Sequence, residues 1–367
     1  MMHIARFVRQ QVRNCAPCVH GGRIAEYTDR SMLDFSANLN PMGIPDIPAA
    51  VKEIAHYPDN RYLRLRTVFA DFVERYLKGE DRITAANVIP ANGSSELIRL
   101  FAEAVIERDD LVIIAAPTFD EYAFQCKLFG AEVQYCDYSR ILELPSDQIS
   151  DASVVFLCNP NNPTGGLITQ SDVKHLAERC SACETFFFVD EAFIELSDPA
   201  ESVVHSVFDS DFVVVLRSLT KVFAVPGLRL GFGIASCELA ELLNRARLVW
   251  NVGAPAEMIG TRLMETCIKS DYLERSIALI AKERGYLMKE LIDRGFIPHE
   301  SNVNFILIDI SNFNMDSYKM TQRLIDHGIL VRNCATFWNL DARYIRVAVR
   351  TREENQRLVQ AFDAVVG

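Results

Sequence analysis

At 367 residues the chain is too long for one ordinary core, so two domains, or one large α/β domain with a smaller partner, are expected. Hydrophobic residues make up 49% and charged residues 24%, which excludes a disordered chain. The formal net charge of -11 argues against nonspecific nucleic-acid or anionic-membrane binding, so any phosphate site has to be local.

In chain order, Met1 to Arg13 alternates charged and apolar residues without a signal-peptide core, and no apolar run approaches a membrane span. A cytoplasmic protein with no membrane and no nucleic-acid partner is expected. Residues 1–50, rich in Gly, Pro and Asn, are expected to form an N-terminal arm that crosses to the C-terminal part of the chain. Residues 51–256 read as a large domain. There Glu96 to Phe101 has the spacing of an amphipathic helix, and apolar runs predict strands at Leu111–Ala115, Val154–Cys158, Thr185–Val189, Phe212–Leu216 and Leu230–Ala235. Helical spacing lies between them, as in Gln170–Cys180. Buried strands alternating with helices predict a mostly parallel sheet covered on both faces. Near Asn251 the pattern changes to a long helical region, Glu257–Arg294. Runs at Asn302–Ile308, Gly328–Arg332 and Tyr344–Val349, then a helix after Thr351, make residues 257–367 a small α+β domain.

In such sheets ligands gather beyond the carboxyl ends of the strands, and each run leads there into chemically suggestive residues. Pro117-Thr118-Phe119 follows the first, Asn159 to Gly165 the second, Asp190 to Phe193 the third, and Ser218 and Lys221 the fourth. One pocket at four strand ends is expected.

Lys221, flanked by hydroxyls and followed by Arg229 and glycines, is arranged to hold a phosphorylated aldehyde as a Schiff base, with Ser218 and Arg229 near the phosphate. A surface lysine is the ordinary alternative. Asp190 ends a very apolar strand, where an ionised carboxylate needs a cation such as a protonated pyridine nitrogen; a helix cap or internal salt bridge would also serve. Asn162 is placed to donate to a phenolate oxygen, or else shapes a turn with Pro163 and Gly165. The glycine turn before Ser94 and Ser95 offers a phosphate free N–H groups at a helix start, where serines are also ordinary caps. Phe119 stacks on a ring or packs in the core. Tyr57, in His56-Tyr57-Pro58-Asp59, offers a phenol to a phosphate across a subunit boundary or marks a surface turn.

Arg346 suits bidentate capture of a carboxylate, and Arg332 and Arg350 give capacity for a second anion. Ten cysteines without a regular framework fit reduced thiols. Cys15 and Cys18 with Cys180 and Cys183 have the makings of a four-thiolate zinc site, but nothing places them together and no metal is expected. No Walker-type loop supports a kinase activity.

The Lys221 segment resembles that of fold type I pyridoxal 5'-phosphate (PLP) enzymes, and from His20 to the final helix the chain resembles the class I/II aminotransferase family. The resemblance implies PLP as cofactor, a large domain with a mostly parallel mixed sheet between helices, a small α+β domain, and a homodimer with shared active sites. By the same resemblance Lys221 forms the Schiff base, Asp190 pairs the ring nitrogen, Asn162 contacts O3', and Ser94, Ser95, Ser218 and Arg229 hold the phosphate. Tyr57 would reach that phosphate from the neighbouring subunit, and Arg346 would take a substrate carboxylate.

Two branches of the family compete, threonine-phosphate decarboxylases of cobalamin biosynthesis and histidinol-phosphate aminotransferases. Four stretches look more like the decarboxylases: His20-Gly21-Gly22, Leu33 to Pro41 with Asn38, Arg217 to Gly231, and Arg332-Asn333-Cys334 leading to Arg346 and Arg350. These imply that L-threonine O-3-phosphate, a small phosphorylated amino acid, loses carbon dioxide to give (R)-1-amino-2-propanol O-2-phosphate. His20, Asn38, Asn162, Arg332, Arg346 and Arg350 would face that substrate. The alternatives are amino transfer between histidinol phosphate and 2-oxoglutarate, and a PLP-binding protein without catalysis. Phe193 stands where aminotransferases of the family carry a tyrosine, which points away from ordinary transamination.

Overall fold

The fold is known from a computed structural model, which describes residues 32–45, 57–77 and 81–366. The chain enters through β1 (Leu33–Asp34) and then contributes β2 (Val88–Ala91), β3 (Leu111–Ala116), β4 (Glu132–Asp137), β5 (Val154–Cys158), β6 (Phe186–Asp190), β7 (Val213–Ser218) and β8 (Gly231–Ile234). The last seven form one sheet in the order β2-β8-β7-β6-β5-β3-β4. β7, β6, β5, β3 and β4 run parallel, while β8 is antiparallel to both its neighbours.

Successive side chains of a strand point to opposite faces. Val155 and Leu157 therefore join one core with Phe187, Val189, Val213 and Val215, while Val154 and Phe156 join another with Phe188, Val214 and Leu216. Both faces are covered, by Leu63–Glu74 and Gln170–Ala182 on the first and Ser94–Val105 and Cys237–Ala246 on the second. Each fully buried Val, Leu or Phe stabilises the fold by roughly 1.5–3 kcal/mol.

Four short strands, β9 (Ile297–Pro298), β10 (Phe305–Asp309), β12 (Arg332–Asn333) and β13 (Tyr344–Ala348), form an antiparallel sheet, whereas β11 (Ile329–Leu330) pairs with β1. The expected run Gly328–Arg332 thus divides at Val331 between two sheets. The expected single helical region is likewise two helices, Ala254–Ile268 and Tyr272–Asp293, because the chain breaks at Lys269–Asp271. Leu287, Leu291, Ile306, Ile308, Val347 and Phe362 form a third core, and Phe35 from the N-terminal segment is fully buried in it.

The N-terminal segment then turns onto the large sheet. Asn40 caps its own turn by accepting from the Met42 N–H, while its backbone N–H donates to the Lys221 carbonyl and its amide donates to the Val222 carbonyl and to the hydroxyls of Tyr272 and Ser276. Residues 33–40 therefore span from the small sheet to the short helix Leu219–Val222. Among the described residues no helix is long and apolar enough to cross a membrane.

Candidate active site

A cavity of about 630 Å³ opens where β3, β5, β6 and β7 end. Phe119, Asn162, Asp190, Ser218 and Lys221 line it from those four ends, with Ser94, Ser95 and Arg229 beside them and Asn38, Arg346 and Arg350 from the other side.

Lys221 lies on the helix Leu219–Val222, directly after β7. Burial, with Arg346 and Arg229 nearby, pushes its amine down to about 8 against the opposing pull of Asp34 and Asp190. Roughly a tenth is therefore neutral at pH 7, far more than for an ordinary lysine. The Ser218 and Thr220 hydroxyls are 2.9 Å apart at the same strand end.

Ser94 and Ser95 begin the helix Ser94–Val105, whose first N–H groups have no intrahelical acceptor. Gly93, at φ +80, lets that start approach Arg229: a β carbon there would lie 2.4 Å from Nη2. Gly231 does the same on the β8 side, where a β carbon would meet the Ser94 nitrogen at 2.8 Å. Two positions without side chains, two serines, two further hydroxyls and a guanidinium make a cradle for a small anion.

Asp190 ends β6 on the cavity floor and is 4% exposed. Its Oδ1 accepts from the Ala192 N–H at 2.9 Å and its Oδ2 from the Tyr122 hydroxyl at 2.5 Å. Burial pushes the carboxyl up to about 6, although Tyr122, Ala192 and Lys221 all pull it down. Beneath the floor, Arg217 bridges Glu191 at 2.9 Å and Glu195 at 2.5 Å, and Ser202 ties the group together. This buried cluster fixes the ends of β6 and β7 relative to each other.

On the small-sheet side, Arg346 of β13 lies over the Phe305 ring and donates to the Asn162 side-chain oxygen and to the Ser36 carbonyl at 3.1 Å. Burial lowers its guanidinium to about 10. With its oxygen turned to Arg346, the Asn162 amide nitrogen is left for a further acceptor. Asn38 is buried, and its side-chain oxygen has no partner among the described residues. Phe193 offers no donor; it meets Phe305 edge-on at 5.1 Å. Arg350 donates to the Asp34 carbonyl and pairs with Glu354.

Not all residues singled out from the sequence gather here. Arg332 sits opposite Arg346 in the β12–β13 register but outside the cavity lining, over Phe337 and bonded to Thr336. Tyr57 is 77% exposed and stacks on Trp250 with ring centres 4.3 Å apart, also away from the cavity. His20, Cys15 and Cys18 lie outside the described residues. Conversely, Tyr122, Thr220, Cys158 and Ser36 line the cavity without having been singled out. Tyr122 carried one sequence signal, a phenol three residues beyond Phe119 at the start of a helical stretch.

A model of the family described as Aminotransferase class I and II matches residues 30–362. A Caldanaerobacter subterraneus subsp. tengcongensis protein named "Putative threonine-phosphate decarboxylase" is 34% identical, over 94% of this chain and 93% of its own. The histidinol-phosphate aminotransferase of Methanopyrus kandleri is 30% identical, over 98% and 96%. Among solved structures, the histidinol-phosphate aminotransferase of Clostridium acetobutylicum has a TM-score of 0.79 at 29% identity, covering 91% of this chain and 99% of that one. That of Sinorhizobium meliloti, in complex with pyridoxal-5'-phosphate, reaches 0.82 at 20% identity, covering 98% and 97%.

Proposed function

We propose that this chain, which belongs to the class I and II aminotransferase family, removes carbon dioxide from L-threonine O-3-phosphate. The family's cofactor is PLP, and the cavity residues fit it. The cradle around Gly93 and Arg229 suits its phosphate, and the Lys221 amine suits its aldehyde. Asp190 is buried with two neutral donors and no ion-pair partner among the described residues, as a carboxylate awaiting a pyridinium would be. Asn162 suits its phenolate oxygen and Phe119 one ring face. When bound, the cofactor supplies an electron sink for a bond broken at the substrate's α carbon.

The chain's own residues decide which bond that is. Arg346, braced by Asn162 and Ser36, would grip the substrate carboxylate and fix its direction, so that the carbon–carbon bond is the one aligned for cleavage. Carbon dioxide leaves without the bonding electrons, and Lys221, pushed down to about 8, is suited to deliver a proton to the α carbon.

The observation that carries the reading is the pair of guanidiniums, Arg346 and Arg350, that line the cavity together with Lys221. Two guanidiniums match a substrate with both a carboxylate and a phosphate. Phe193 supports it by leaving the cofactor oxygen one donor fewer than a tyrosine would. The 30% identity to a histidinol-phosphate aminotransferase favours a second reading, amino transfer with 2-oxoglutarate.

Loading the protein with PLP and supplying each substrate separates the readings. Carbon dioxide and aminopropanol phosphate from threonine phosphate support decarboxylation. Glutamate from histidinol phosphate plus 2-oxoglutarate overturns it in favour of transfer, and no product from either leaves a silent binding protein. A homodimer is part of the proposal, with the exposed Tyr57 meeting the partner's cofactor phosphate; a monomer at working concentration by sedimentation would contradict it.

A further inference from the structure

The cavity floor contains a hydrogen bond that none of these roles uses. Tyr122 and Asp190 are 1% and 4% exposed, and the phenol hydroxyl donates to Oδ2 at 2.5 Å. The ring is held on two sides, stacked on Phe156 with centres 5.4 Å apart and edge-on to Phe119 at 5.8 Å. Cys158, paired with Asp190 in the β5–β6 register, lies against the same hydroxyl. Burial, with Asp190 beside it, holds the phenol well above its ordinary value, so towards the carboxylate it acts only as a donor. Donation to a carboxylate favours its charged form. With Ala192 on Oδ1 and Tyr122 on Oδ2, the carboxylate plane is fixed and its remaining lone pairs are available to the cavity that Asp190 lines.

Resting on the cofactor reading above, we propose that Tyr122 is a positioning residue whose hydroxyl keeps Asp190 ionised and oriented, so that the ring nitrogen of bound PLP retains its proton. Among the described residues no other side chain donates to Oδ2, and Cys158 is a weak donor whose thiol bonds to the Pro160 carbonyl.

The test uses holoenzyme loaded with PLP carrying ¹⁵N at the ring nitrogen, whose resonance reports protonation as the pH is raised. Y122F keeps the ring and its stacking and removes only the hydroxyl. The expected result is loss of the ring proton at a pH lower by about one unit, equivalent to about tenfold, with kcat reduced about tenfold and KM unchanged. F156L loosens the same packing but spares the hydroxyl, so its nitrogen should titrate as in the parent. A Y122F protein that titrates like the parent overturns the proposal, and so does an F156L protein that titrates like Y122F. A parent that takes up no PLP sinks the cofactor reading itself; a parent that does, with an unaltered Y122F titration, sinks only the role of Tyr122.

Discussion

Replacing Gly93 by alanine tests the phosphate cradle through its backbone. The new β carbon would lie 2.4 Å from Nη2 and 3.0 Å from Cζ of Arg229. Because those atoms are the far end of a flexible side chain, the clash is relieved by moving the guanidinium out of the cradle, and the fold survives. What remains is backbone strain at φ +80 and ψ 162, a region essentially confined to glycine, roughly 1–3 kcal/mol for a residue with a β carbon. Losing one charge-assisted contact to the phosphate costs about 1.5–3 kcal/mol, or roughly 10- to 150-fold in PLP affinity. Equilibrium dialysis of apoprotein against PLP gives the affinity, with circular dichroism and a thermal melt reporting the fold. Gly227→Ala is the control, since a β carbon there meets nothing within 4 Å. A folded G93A that binds PLP within about twofold of the parent, as G227A should, would refute the cradle.

Other substitutions test the remaining parts. Asp190 is raised to about 6 from 3.8, so the folded state holds the proton more tightly; this residue's stabilising contribution is full below about 4 and lost as pH rises through 6. D190N should therefore stabilise the apoprotein at neutral pH by ~1–3 kcal/mol, a gain that shrinks as pH falls towards 4, while kcat of the loaded enzyme drops by ~100-fold or more. Urea melts at several pH values check the first part and turnover the second. R217A leaves Glu191 and Glu195 buried without their cation, so it should cost about 3–5 kcal/mol in the same melts. R346K loses the fork that meets a carboxylate; KM for threonine phosphate should rise about tenfold or more while PLP affinity stays unchanged.

Much of the large sheet is legible in the sequence for a physical reason. Strands buried on both faces, such as Val154–Cys158, are continuous apolar runs and announce their limits. β4 escapes notice because it is the edge strand, with only partly buried residues alternating with exposed Glu132, Gln134 and Asp137. The reversed direction of β8 is invisible because an apolar run carries no polarity. The helix break at Lys269–Asp271 falls on polar residues that fit either a helix surface or a turn. In the site, residues at strand ends are readable from position alone, which places Phe119, Asn162, Asp190 and Lys221 together in advance. Tyr122 and the Asn40 anchor are not, since each acts on a residue far away in the chain, Asp190 and Val222 respectively. Arg332 shows the opposite limit: adjacency to Arg346 in the sheet does not bring it to the cavity wall.

The position at which the cofactor bonds is the most direct test of the site. Protein loaded with PLP, reduced with borohydride, digested and examined by mass spectrometry should carry a single pyridoxyl group, on Lys221. A label on any other lysine, or no label on a folded protein, would contradict it.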